Sequence, residues 1–285
     1  MSKLKELLTR DTESELIPST IMGILLPSVQ ANLIMTQLLA RRIGPESIPG
    51  SSIDLDLNTA DNMIVELTGE TAEFGKSQAA AETFNMKPVK YTVDIQISRE
   101  MIEDSKFAVV EWNIEEAGYK MAQKMDNLLC QAVYTGADAN GTDHITNAGS
   151  ALTIAYLTTC MKFLEADNHV CTDMIVSAGI AEDLRNIDSF VEADKLGSRE
   201  TFERGLVGRV YGMNVFMTNQ AKGTQTTYER ALIIDRRHAL VLAEKRPISI
   251  ERYNQVNKDV VGIAVSARFK ERYLRKEACA VLYTT

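Results

Sequence analysis

The sequence predicts an α+β fold, on three observations. Val89, Tyr91, Val93, Ile95 and Ile97 alternate with polar residues through the segment 88–98, the period of a strand with one covered and one wet face. Over 110–135, Ile114, Ala117, Met121, Met125, Leu128–Leu129 and Ala132 recur at spacings of three and four, the stripe of one long amphipathic helix. From 231 the chain is strand-rich to its end, and Val261, Ile263, Val265, Ala267 and Phe269 repeat the alternation. With 285 residues, 45% of them hydrophobic, the chain can build a real core in one large domain or two modest ones.

The other elements follow in chain order. Residues 1–17 read as an amphipathic helix with Leu4, Leu7 and Leu8 on one face, interrupted at Pro18. The apolar stretch 21–39 breaks at Pro27 and is expected to restart as a helix through Val29, Leu33 and Leu38–Leu39. Gly44, Pro45, Pro49 and Gly50 mark a turn region. Over 51–87, strand-like runs at 52–57 and 63–67 flank the polar segment GETAEFGKSQAAAETFN, which reads as a long hairpin with an exposed tip. Ser98 is placed to cap a short helix, and Gly136 to end the long one before a loop. From 145 to 235 an α/β pattern is expected. Its parts are a helix at 153–166, a strand at 174–177, a helix at 180–190 and strands at 206–210 and 214–218.

Candidate chemistry is sparse. The segment GETAEFGKS, from Gly69 to Ser77, approaches a P-loop, but five residues separate its glycines where four are required. Glu70 takes the required glycine position, and Glu73 would set a carboxylate among the amides meant to hold phosphate. His144, His169 and His238 show no metal-ligand spacing and read as loop or surface residues. Cys130, Cys160, Cys171 and Cys279 form no CxxC pair and read as small apolar core residues of a reducing compartment. No G-x-S-x-G elbow is present, and GLVGRVYG has strand-type residues between its glycines, which points to close packing or a bulge. These readings give no enzyme and no cofactor.

The net charge of −8 does not favour general phosphate binding. The charged N-terminus lacks the apolar core of a signal peptide, and no run of about 18 apolar residues predicts a membrane span.

Several phrases, in this order, carry a resemblance. They are KPVKYTVDIQISREMIEDS, the strand-then-helix MIVSAGIAEDLRNI, GLVGRVYGMNVFMTNQA, RPISIERYNQ and VVGIAVSARFKERYLRKEACAVLYT. Together they resemble the major capsid protein of tailed viruses, the Hong Kong 97-type shell fold. The resemblance implies an N-terminal arm at 1–50, an E-loop hairpin at 51–87 and a P-domain with a spine helix at 88–144. It implies an α/β A-domain at 145–239 and closing P-domain strands at 240–285. It implies self-assembly into pentamers and hexamers of an icosahedral head around double-stranded DNA, built in the host cytoplasm, with portal, scaffold or decoration proteins as further partners.

With Met1 as the start, assembly is expected to use a separate scaffold or none. Glu70, Glu73, Phe74 and Lys76 at the E-loop tip become candidate contacts between subunits. Some relatives join subunits through a Lys–Asn isopeptide bond, for which Lys76, Asn254 and Asn257 are the candidates here. Two alternatives stand beside this reading: an encapsulin-like compartment holding enzyme cargo, and a nucleotide-binding enzyme using Gly69–Ser77.

Overall fold

The computed structural model describes residues 33–48, 50–59, 80–104, 109–147, 149, 151–187, 206–222 and 228–284. The strands are β1 (Arg41–Ile43), β2 (Ile53–Thr59), β3 (Ala80–Met86), β4 (Val89–Ser98), β5 (Ile145–Asn147) and β6 (Asp173–Val176). They continue with β7 (Leu206–Val210), β8 (Met213–Met217), β9 (Glu229–Ile234), β10 (Leu240–Gln255), β11 (Val260–Tyr273) and β12 (Cys279–Thr284). The helices are α1 (Arg99–Asp104), α2 (Val109–Ala139), α3 (Ile154–Ala166) and α4 (Ala178–Asn186).

Two sheets share one helix. The four-stranded sheet runs β1-β10-β11-β4, and the six-stranded sheet runs β5-β12-β9-β6-β8-β7. At 31 residues, α2 is about 46 Å long, at roughly 1.5 Å per residue. Its N-terminal half sets Ile114, Met121 and Ala122 against Ile263 and Val265 of β11, with Tyr91, Val93 and Ile95 of β4 packed beside them. Its C-terminal half sets Leu129, Val133 and Ala137 against Ile175, Leu232, Ile234 and Val281 of the six-stranded sheet. The opposite face of that sheet is covered by α3 and α4 through Leu157, Leu164, Ile180 and Leu184.

Several expectations change. The long helix does not end at Gly136: it runs on through Ala139, and a 3-10 turn at Gly141–His144 stands where a loop was expected. A Cβ at Gly136 would lie 3.0 Å from the Cβ of Tyr273 and 3.3 Å from the sulfur of Cys279, so the glycine serves close approach of helix to strand, not termination. The helix expected over 1–17 and the start of the one expected through Val29 lie outside the described residues; from Leu33 onward the latter is a 3-10 turn at Met35–Leu38. β12 leaves the expected group of closing strands and pairs with β5 and β9 in the six-stranded sheet. The GLVGRVYG segment does contain a register shift, between Leu206 and Gly208, and then turns at Tyr211 and Gly212, both with positive φ. Three cysteines are buried and the fourth, Cys171, is half-buried; all are free.

The first described residues are held onto α2 by one carboxylate. Asp126, buried in the helix, accepts the backbone N–H of Ile34 at 3.0 Å and of Met35 at 3.2 Å. Burial pushes its carboxyl up to about 6, against the lowering effect of those two N–H groups. The folded state therefore keeps a proton that the unfolded chain has already released between the ordinary carboxyl range and about pH 6. The associated stability is complete at acid pH and falls away as pH rises through that window, by about 3 kcal/mol in total. Urea denaturation across pH 4–7 should show this loss in the natural chain and a flatter profile in Asp126→Asn, which cannot ionise.

The core assignment makes a second prediction. Leu129 is fully buried between helix and sheet, whereas Leu128 is only partly covered. Leu129→Ala should lower unfolding free energy by about 2–5 kcal/mol, and Leu128→Ala by clearly less, both read by chemical denaturation.

Candidate assembly surfaces

β4 forms one edge of the four-stranded sheet. Its inner residues pack on α2, while Lys90, Thr92, Asp94 and Gln96 stand exposed, as the alternation predicts. Among the described residues no strand pairs with the outer side of β4 along its ten residues, and such an edge invites a partner, whereas the other edge, β1, is only three residues long.

The far end of the β10–β11 hairpin is fixed to β4. Tyr253 lies opposite Gly262, and a Cβ on that glycine would come within 2.2 Å of the ring. The glycine thus makes room for Tyr253 to cross it, where its hydroxyl donates to Asp94 at 2.7 Å and accepts from Gln96 at 2.9 Å. Arg99 and Asp259 add an ion pair at 3.2 Å, with Asp259 in the left-handed region at φ 50°. Further back, β10 breaks register on both sides of Arg246, next to Pro247, which bends the strand.

A second surface is the β2–β3 ribbon. Ile53, Leu55, Leu57, Phe84 and Met86 turn inward onto Ile43, Val241 and Ala243, and Arg272 sits over the Phe84 ring at 4.5 Å. The outward face is polar: Thr83 donates to Asp56 and Asn85 to Asp54. The described part of the hairpin is thus a seated two-stranded ribbon whose second strand, β3, falls in the polar segment read as the exposed tip, while the run expected as a strand at 63–67 lies outside the described residues. Its tip, with Glu70, Glu73, Phe74 and Lys76 and the whole GETAEFGKS segment, lies outside the described residues. Asn254 and Asn257 are exposed at the β10–β11 end, so no crosslink geometry with Lys76 is defined among the described residues.

The third surface is on α2. Trp112, the only tryptophan of the chain, is 68% exposed, and Tyr119 stands two turns further along the helix, also exposed. Among the described residues no helix is long and apolar enough to cross a membrane.

The titratable groups inside the subunit differ from expectation most at the histidines. His144 is buried, with one ring nitrogen 2.8 Å from the carbonyl of Cys279 and the other 3.0 Å from Asp167, so it is not a surface residue. His169 and His238 meet at Asp235, although 66 residues separate His169 from that carboxylate. Hydrogen bonds from His238, from the Arg237 N–H and from His169 outweigh burial and hold Asp235 below its ordinary range. Chain spacing hid this cluster; only the short stretch DRRH, 235–238, set an acid and a histidine three apart. Burial pushes the Cys160 and Cys171 thiols up to about 12, and Cys130 and Cys279 well upward too, which disfavours the thiolate at each.

Comparison with known proteins agrees with this architecture. A chain from Mycobacterium phage Bobi superposes with a TM-score of 0.66 at 14% identity, over 90% of both chains. The capsid of cyanophage P-SCSP1u gives 0.65 at 12% identity, over 89% of this chain and 88% of that one. A virus-like particle from Pyrococcus furiosus gives 0.59 at 13% identity, over 93% of this chain and 98% of that one. No curated protein sequence matches. The model of the phage capsid family matches residues 14–283, which is nearly the whole chain, and the protein therefore belongs to that family.

Proposed function

We propose that the protein builds the head shell of a tailed virus by associating with copies of itself as pentamers and hexamers that close around double-stranded DNA. The observation that carries this reading is the combination of family membership over 14–283 with an edge strand, a polar ribbon and an aromatic helix face on one subunit. In this reading 1–50 is the N-terminal arm and 51–87 the E-loop, whose tip residues Glu70, Glu73, Phe74 and Lys76 lie on a neighbour. Residues 88–144 carry the spine and 145–239 the domain nearest the symmetry axis, while 240–285 returns along both sheets.

The mechanism is many moderate contacts per subunit, each near the standard size of about 1,600 Å², which closure makes mutually reinforcing. The net charge of −8 would let packaged DNA move without sticking to the wall. Portal, scaffold or decoration proteins would be the further partners, and the host cytoplasm the place of assembly.

A second reading is favoured by one observation, the coverage of 98% of the Pyrococcus furiosus virus-like particle chain. It is a shell of the same build that encloses protein cargo. The contents of particles purified from a native source separate the two: nuclease-protected double-stranded DNA supports the first, and an enzyme with no genome supports the second.

Assembly itself should be visible in the single tryptophan. Trp112 emission should move to shorter wavelength as light scattering reports the growth of rings and shells, and a species that stays at 31.6 kDa at every concentration would refute self-association. Deletion of residues 69–79, outside β2 and β3, should leave a folded subunit that scatters as small oligomers and forms no stable shells.

A further inference from the structure

We propose that His169, Asp235 and His238 form a binding site for a first-row divalent transition ion of the zinc, cobalt or nickel type, placed at the joint between the two sheets. The three side chains come from two separate loops. His169 follows α3 directly, where Asn168 at φ 60° turns the chain and the His169 N–H donates to Leu164 at 2.9 Å. Asp235 and His238 bound the turn that leads from β9 of the six-stranded sheet into β10 of the four-stranded sheet.

The donor atoms are close enough to share an ion. Oδ2 of Asp235 lies 3.1 Å from Nδ1 of His169 and 2.7 Å from Nδ1 of His238. One donor atom from each residue falls within 4.8 Å of the others, and this is the only such group of three among the described residues. Neighbouring ligands in a tetrahedral shell around an ion held at about 2.0–2.2 Å are themselves roughly 3.3–3.6 Å apart. Opening the two hydrogen bonds by tenths of an ångström and drawing the two imidazole nitrogens, now within 4.8 Å of each other, toward one ion would convert the cluster into a coordination shell, with the ion replacing the protons between nitrogen and oxygen. Two imidazoles and one carboxylate are a donor set suited to zinc, cobalt or nickel, while magnesium and calcium prefer oxygen throughout.

The surroundings fit a built site. The Asp235 side chain is 4% exposed, and its other oxygen, Oδ1, accepts the Arg237 N–H at 3.0 Å, which fixes the direction of Oδ2. His169 is 11% exposed and His238 46%, so one side is walled and the other opens to water, which would complete the coordination shell and admit the ion. The same turn reaches the N-terminal segment, since the Arg236 guanidinium donates to the carbonyl of Gln37. An ion here would tie three things at once: the loop after α3, the crossover between sheets and, through Arg236, the segment around residue 37.

The test uses untagged full-length protein, treated with a chelator and then titrated with cobalt(II). The expected result is one cobalt per subunit with visible absorption bands that zinc(II) abolishes by competition, and a rise in the unfolding midpoint on adding zinc. His238→Gln changes a half-exposed side chain and should keep the fold by circular dichroism while weakening binding about tenfold or more; His169→Gln should do the same. No cobalt bound by the natural chain at micromolar ion, or unchanged affinity in a folded His238→Gln, would overturn the site. The readout is independent of shell formation, so its failure is distinct from a failure to assemble.

Discussion

The subunit depends on one helix burying successive stretches of a single stripe in two different sheets. The buried stripe of α2 is apolar except at Asp126, because each half has its own β-sheet to cover. Buried aliphatic side chains contribute about 1.5–3 kcal/mol each, so the helix couples the two halves energetically. The two sheets are also interleaved along the chain: β10 follows β9 after five residues, 235–239, and β12 returns from the four-stranded to the six-stranded sheet. Neither sheet can be removed without exposing half of α2. Gly136 shows how tight the joint is, because no Cβ fits there without displacing Tyr273 or Cys279.

How much of this was legible in the sequence follows from which surfaces are covered. β4 and β11 were readable because β4 has one wet face and an alternating burial pattern. The six-stranded sheet was harder, since α2 lies on one face and α3 and α4 on the other. Its strands β6 and β9 therefore show no alternation, so their largely apolar runs point to strands without showing which face or neighbour each takes. β12 is another such run, CAVLYT, and nothing local says which sheet it joins. Gly136 was misread because a glycine near the end of an apolar stripe is a local cap signal, and tertiary packing used it differently. The candidate site was less legible still. The His169–Asp235 contact spans the fold, and the expected contact tip at 70–76 lies outside the described residues.

Three carboxylates of the subunit stand where chain segments cross. Asp126 receives the start of the described chain on α2, and Asp235 organises the crossover between β9 and β10. Lys222 and Glu229 pair beside the start of α4, where the Gly179 N–H also donates to Glu229 and a Cβ on the glycine would meet the Glu229 side chain at 2.7 Å. Each is a carboxylate whose acceptors are used by backbone N–H groups as well as by a side chain or a second N–H. Such arrangements specify geometry more than they add stability, because burying the charge offsets much of the gain. A subunit that must present the same surfaces in every copy has use for specified geometry at its crossings.

The exposed surfaces follow a complementary logic. Among the described residues their large apolar side chains, Val89, Trp112, Tyr119, Tyr156, Val170 and Tyr211 among them, belong to several different elements. A contiguous apolar patch would bind any similar surface and trap subunits in wrong arrangements. Edge-strand amides, the polar Asp–Asn and Asp–Thr pairs of the β2–β3 ribbon and single aromatic anchors are each weak alone and directional together. In the proposed shell that combination lets a misplaced subunit leave, while a correctly placed one gains every contact simultaneously. Selection of the closed structure then comes from the number of contacts that fit, not from the strength of any single one.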